Sequence, residues 1–134
     1  MSEESGGCSC GKIRFAVTGE PLWVAHCHCR DCRGSTSSAF ATYAGFKKQG
    51  VTWSGDQPTG FASTPGAKRA FCGSCGTPLY FVSDRWPEEI HLFVAAFDAP
   101  EQFTPQAHVY AGERLPWVHL DDGLPEFEKT PSGK

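Results

Sequence analysis

The segment HCHCRDC, His26 to Cys32, places three cysteines and two histidines within seven residues. Thiolate and imidazole are the side chains that bind borderline and soft divalent metals. Four further cysteines stand at Cys8, Cys10, Cys72 and Cys75, so the chain of 134 residues carries 7. They fall into C-x-C, C-x-C-x2-C and C-x2-C groups separated by 16 and 39 residues. An odd total in close pairs suits a disulfide framework badly and metal ligation well. The N-terminus, MSEESGGCSC, lacks the basic and then apolar stretch of a secretory signal, so the expected setting is the cytoplasm, with the thiols reduced.

A structural zinc is closed by four ligands, whereas a catalytic zinc keeps three protein ligands and one open position. Seven cysteines divide as four plus three. FCGSCGT has the form of a zinc knuckle, in which Gly73 and Gly76 permit a positive φ or a close approach of backbone N–H groups to the sulfurs. CSCGK repeats the form with Gly11 after Cys10. Cys8, Cys10, Cys72 and Cys75 are therefore expected to hold a structural zinc, which would close a long loop in a domain with a modest core.

Cys27, Cys29 and Cys32 remain as three ligands, and the expectation is a second, catalytic zinc with an open position. The alternative is closure by a histidine, from His26 or His28 nearby or from His91, His108 or His119 at a distance. An extended approach through Cys27 turns His26 and His28 to the face opposite Cys27 and Cys29, which predicts packing or supporting roles for both.

Three thiolates on Zn2+ carry a net formal charge of minus one, which makes the centre a poor generator of hydroxide. A fourth thiol is a good ligand there and would be held as thiolate, so the chemistry implied is thiol activation. The formal net charge of −3 gives an acidic chain without a basic stripe, which argues against a nucleic-acid partner. No apolar run approaches the roughly 18 residues of a membrane helix. Lys12, Arg14, Arg30, Arg33, Lys68 and Arg69 lie close to cysteines in sequence and either neutralise thiolates or receive an anionic substrate.

The elements that must position these residues are mostly short strands. KIRFAVT alternates Ile13, Phe15 and Val17 on one face; LWVAH leads into the cysteine cluster; AFATYAG, GVTWSG, TPLYFV and IHLFVAAF are further strands. One short helix is expected just after Cys29. The text after Pro100 is loop-like, and the ends, SEESGG and EKTPSGK, are expected to fray. The fold class predicted is all-β, one domain over residues 1–134, built from short antiparallel strands. Ser35, Thr36, Ser37 and Ser38 are expected in a solvated loop, and Trp23, Trp53, Trp86, Trp117, Tyr43 and Tyr110 mainly in the core.

CSCGKIRFAVTGEP, CHCRDCR, RAFCGSCGTPLYF and HVYAGERLPWVHLDDGLPEF, spanning Cys8 to about Phe127, together resemble the glutathione-dependent formaldehyde-activating enzyme family, which includes the CENP-V group. The resemblance implies a β-tent, or Mss4-like, fold stapled by zinc. It implies a structural zinc on Cys8, Cys10, Cys72 and Cys75 and a catalytic one on Cys27, Cys29 and Cys32. The activity implied is that of a carbon–sulfur lyase that joins glutathione, or a similar thiol, with formaldehyde or another small aldehyde to give an S-hydroxymethyl adduct. The alternative is a non-catalytic binding or thiol-carrier module on the same fold.

Overall fold

The computed structural model describes residues 3–131. Ten strands form two sheets. A small sheet has the order β1 (Glu3–Gly7), β2 (Ile13–Thr18), β5 (Val51–Gly55). A large sheet runs β10 (Ala107–Val109), β3 (Trp23–Cys27), β4 (Ala41–Lys47), β9 (Glu89–Phe93), β8 (Pro78–Ser83), β7 (Ala67–Phe71), β6 (Thr59–Thr64). The all-β class is as expected, and neither sheet closes into a barrel. One α-helix, α1 (Arg30–Thr36), follows Cys29, whose side chain accepts from the Cys32 backbone N–H and caps it.

Alternation in the sequence becomes two faces. Ile13, Phe15 and Val17 of β2 are buried against Val24 of β3, Ala44 and Phe46 of β4 and Ile90 and Leu92 of β9, forming the core between the sheets. On the opposite face of the large sheet Cys27, Cys32, Ala41, Tyr43 and Phe93 make a second cluster. Strand register aligns this outer face in a row: Trp23 opposes Gly45, Gly45 opposes His91, His91 opposes Phe81 and Phe81 opposes Arg69. Residues from five strands are thus side by side on one surface.

Several expectations are corrected. From Glu3 onward the expected frayed end is ordered, since Glu3–Gly7 pairs antiparallel with β2 and Asp98 N donates to Ser5 O at 2.8 Å. Gly6 belongs there because an added Cβ would collide with the backbone of Ala96 and Phe97 and with the Phe15 ring. The stretch after Pro100 contributes β10, which pairs with β3 in parallel, so the strands are not all antiparallel. IHLFVAAF is strand only to Phe93, after which Val94–Ala96 turns as a 3-10 helix. β6 and β7 carry polar sequences that the pattern of apolar residues does not reveal. At the C-terminal tail Lys129 O accepts from Tyr110 N at 2.7 Å; Met1, Ser2 and residues 132–134 lie outside the described residues.

Candidate metal centre and cavity

Two turns bring four thiols together. Gly11 and Gly76 have φ of +80° and +83°, which only glycine adopts without strain, and they let the chain fold back after Cys10 and Cys75. Gly73 serves by lacking a side chain, since a Cβ there would press on Thr59 Oγ1. The Ile13 amide lies 3.3 Å from Cys8 Sγ, and the Ser74 and Cys75 amides each lie 3.4 Å from Cys72 Sγ. Thr77 Oγ1 bridges the turns, accepting from Ser9 N at 3.0 Å. Hydrogen bonding by Thr77 lowers the Cys75 thiol to about 5. Cys8, Cys10, Cys72 and Cys75 thus form one group, with ligand atoms all within 4.8 Å of one another.

The second group is Cys27, Cys29 and Cys32, again within 4.8 Å. Cys27 ends β3, Cys29 caps α1, and Cys32 lies in its first turn, so one strand-to-helix junction supplies all three sulfurs. Cys29 Sγ and Cys32 Sγ are 2.8 Å apart, and Cys32 Sγ and Cys27 Sγ 3.3 Å. All seven cysteines are free thiols. Among the described residues no histidine joins either group. His26 and His28 point away from the sulfurs, as alternation requires: His26 Nδ1 meets Thr42 Oγ1 at 2.8 Å and His28 Nε2 meets His108 Nδ1 at 2.9 Å.

One cation reaches the three thiols. Arg69 is 3% exposed and donates from Nη2 to Cys32 Sγ at 3.5 Å and from Nη1 to the Tyr43 hydroxyl at 2.8 Å. Its Nε and Nη2 donate to Asp31 Oδ2 at 3.0 and 2.8 Å, and its guanidinium lies 4.7 Å from the Phe81 ring centroid. Tyr43 completes the triangle by donating to Cys32 Sγ at 3.3 Å. Hydrogen bonds with Cys27 and Cys29, then Tyr43 and the Arg69 charge, hold the Cys32 thiol far below the ordinary thiol range against the effect of burial. Hydrogen bonds with Cys29 and Cys32, and then burial, push Cys27 far above it, so the group favours a charge on Cys32. Burial opposes the charge on Arg69, yet Tyr43, Cys32 and Asp31 raise its pKa above the ordinary value.

Three other basic residues near the cysteines bond side chains or backbone rather than sulfur, although Arg14 also feels the Cys8 charge and Lys12 reaches the turn between Cys72 and Cys75. Arg14 pairs with Asp98, Arg33 Nε donates to His28 O at 3.2 Å, and Lys12 Nζ donates to Ser74 Oγ at 3.4 Å. Ser35 Oγ and Thr36 Oγ1 bond the Cys32 carbonyl at 3.2 and 2.7 Å and finish α1.

The three-thiol group lies in a cavity of about 690 Å3 on the outer face of the large sheet. Tyr43 is buried in the second cluster, as expected of a core aromatic, whereas Trp23, Trp86 and Tyr110 are only half-buried; all four line this cavity with Phe81 and His91. Trp53 does pack on the core, and Trp117 is 67% exposed. His91 is the hub of the wall, with the Trp23 ring at 4.6 Å and the Trp86 ring at 5.3 Å. Glu89 Oε1 fixes it, accepting from Trp23 Nε1 at 3.2 Å and meeting His91 Nε2 at 3.0 Å. At the exposed rim Arg85 Nη1 donates to the Tyr110 hydroxyl at 3.1 Å. Spacing alone could not find this wall, because register across four strand pairs builds it.

A model of the family described as glutathione-dependent formaldehyde-activating enzyme matches residues 3–113. The chain belongs to this family. An uncharacterized lyase of Schizosaccharomyces pombe is 31% identical over 109 residues, covering 81% of this chain and 79% of its own length. The fold resembles the crystal structure of a Rhodobacter sphaeroides protein, with a TM-score of 0.59, 22% identity and coverage of 91% of this chain and 98% of that one. Membership in the glutathione-dependent formaldehyde-activating family, with a relative named a lyase, supports a lyase-type function. Both cysteine groups fit metal binding, and among the described residues no helix is long and apolar enough to cross a membrane.

Proposed function

We propose that the protein is a zinc-dependent carbon–sulfur lyase acting as a synthase, which joins glutathione or a similar thiol to formaldehyde or another small aldehyde. The observation that carries this reading is the contrast between the two thiol groups. Four thiols close on one another at the edge of the main core, two buried and two exposed, whereas Cys27, Cys29 and Cys32 are three and line a cavity large enough for an organic ligand.

All-thiol donor sets suit zinc, and the spacing of the four-thiol group matches its tetrahedron. A tetrahedral centre with Zn–S of about 2.3 Å has sulfur-to-sulfur edges of about 3.8 Å. Cys8 to Cys10 and Cys10 to Cys72 measure 3.5 and 3.8 Å. In this reading Cys8, Cys10, Cys72 and Cys75 hold a structural zinc, and Cys27, Cys29 and Cys32 hold a catalytic one. Bound there, zinc supplies the affinity that keeps a substrate thiol deprotonated at neutral pH.

The chain's own residues do the rest. Arg69 offsets the negative charge gathered on the thiolates, and its pairing with Asp31 keeps it fixed. The aromatic wall of Trp23, Phe81 and Trp86 excludes water from one side of the bound sulfur. Arg85, exposed at the rim, is placed to meet a carboxylate of the thiol substrate. A cytoplasmic setting, rich in reduced thiols, is part of the proposal.

Exchange NMR of glutathione with formaldehyde tests it. The expected result is faster exchange than in buffer, lost in Cys29→Ala. A rate equal to buffer in both proteins would sink the lyase reading and favour a thiol-binding module.

A further inference from the structure

We propose that the Tyr43 hydroxyl receives the carbonyl oxygen of the aldehyde during carbon–sulfur bond formation, and that Arg69 is the positioning residue that aims it. The inference rests on the thiol-addition reading above.

Tyr43 extends from β4 on the cavity face and is 4% exposed, its ring held by Phe93 with centroids 4.6 Å apart. Its phenolic oxygen accepts from Arg69 Nη1 at 2.8 Å, which leaves the hydroxyl hydrogen to be used elsewhere. That hydrogen is directed at Cys32 Sγ, 3.3 Å away, a weak acceptor. An oxygen that is gaining negative charge is a far better acceptor and would draw the same hydrogen. The guanidinium cannot swing away, because Asp31 binds it through two nitrogens and Phe81 lies against its face. A donor fixed in advance where charge develops is the arrangement that lowers a barrier most, since nothing has to reorganise during the reaction.

In the step itself a lone pair on the substrate sulfur forms the S–C bond and the carbonyl π pair moves onto oxygen. The proton lost by the thiol returns to that oxygen through water. Tyr43 donates a hydrogen bond throughout and keeps its own proton. Phenylalanine would preserve the ring packing while removing this donor and, with it, the acceptor of Arg69 Nη1.

Tyr43→Phe and Arg69→Lys are compared with the wild type by exchange NMR of glutathione and formaldehyde, by calorimetry of glutathione binding, and by the thiolate-to-metal absorption band of the cobalt-substituted protein. The expected result for Tyr43→Phe is a rate per bound thiol lower by about 100-fold, with glutathione affinity retained and the cobalt band moved only by the loss of the hydrogen bond to Cys32. Arg69→Lys keeps the charge but not the fork, and is expected to lose rate while retaining thiol binding. A Tyr43→Phe protein that keeps the wild-type rate overturns the inference. So does one that shifts the cobalt band and glutathione affinity at an unchanged rate per bound thiol, because Tyr43 would then act on Cys32 alone. Wild-type protein that binds glutathione without accelerating exchange overturns the thiol-addition reading and this inference with it.

Discussion

His28 and His108 meet across the parallel β3–β10 pair, His28 Nε2 lying 2.9 Å from His108 Nδ1. Asp122 Oδ2 lies 2.8 Å from the far nitrogen, Nε2, of His108, whereas His28 Nδ1 is buried without a hydrogen-bond partner. Burial, followed by the charges of Arg114 and His108, lowers the His28 pKa to about 4. The folded protein therefore holds His28 neutral while the unfolded chain takes up a proton near the ordinary histidine value of 6.5. Between these values the unfolded state binds more protons, so stability is full above the upper value, declines as pH falls towards the lower one and is flat below it. The decline attributable to this group is about 3 kcal/mol. Urea unfolding across this window should be less pH-dependent in His28→Asn than in the wild type, and the His28 C2 proton should titrate near the lower value. A midpoint at the ordinary histidine value would contradict this account.

Metal content should be two ions per chain, released unequally. Chelation followed by elemental analysis is expected to strip the ion of Cys27, Cys29 and Cys32 first, because that group opens into the cavity. Cys32→Ala should leave one ion and a folded protein, whereas Cys72→Ser should unfold it, since Cys72 is 2% exposed and joins the main core. Loss of both ions at one rate would count against the division.

Gly45 sets the position of Trp23. A Cβ at residue 45 would lie inside the contact distance of the Trp23 indole. Gly45→Ala is expected to push the ring into the cavity, cost about 1–3 kcal/mol by overpacking and shift the tryptophan emission. Glutathione affinity measured by calorimetry should fall in the same variant.

Leu92 is fully buried between the sheets, opposite Ala44 of β4 and Tyr80 of β8. Leu92→Ala should lower unfolding free energy by about 2–5 kcal/mol, read as a lower urea midpoint at unchanged slope. Cys27 and Cys32 belong to the other cluster, so the three-cysteine group should keep its metal.

The sequence discloses the thiol groups and the alternating strands because both are local signals. β2 is legible since Ile13, Phe15 and Val17 share a face, and the outward turn of His26 and His28 follows from the same period of two. β1 is not legible, because EESGG has no apolar side chain to alternate; it is a strand because Gly6 lets two backbones and a phenyl ring approach. β6 stays hidden because an edge strand exposed on both faces needs no apolar residues. Arg69 was visible as a cation near Cys72, but its contact is with Tyr43 and Cys32, 26 and 37 residues away. Only register across the large sheet brings those groups together.

The two thiol groups share a short piece of chain, with Arg69 in β7 and Cys72 in the turn that follows. That turn is pinned by Cys72 N to Thr77 O at 3.0 Å and Gly76 N to Cys72 O at 2.7 Å. Whatever tightens the four-cysteine knuckle therefore also steadies the arginine that attends the three-cysteine group. Only residues 70 and 71, where the pairing of β7 with β8 shifts register, separate the arginine that faces one thiol group from a cysteine of the other.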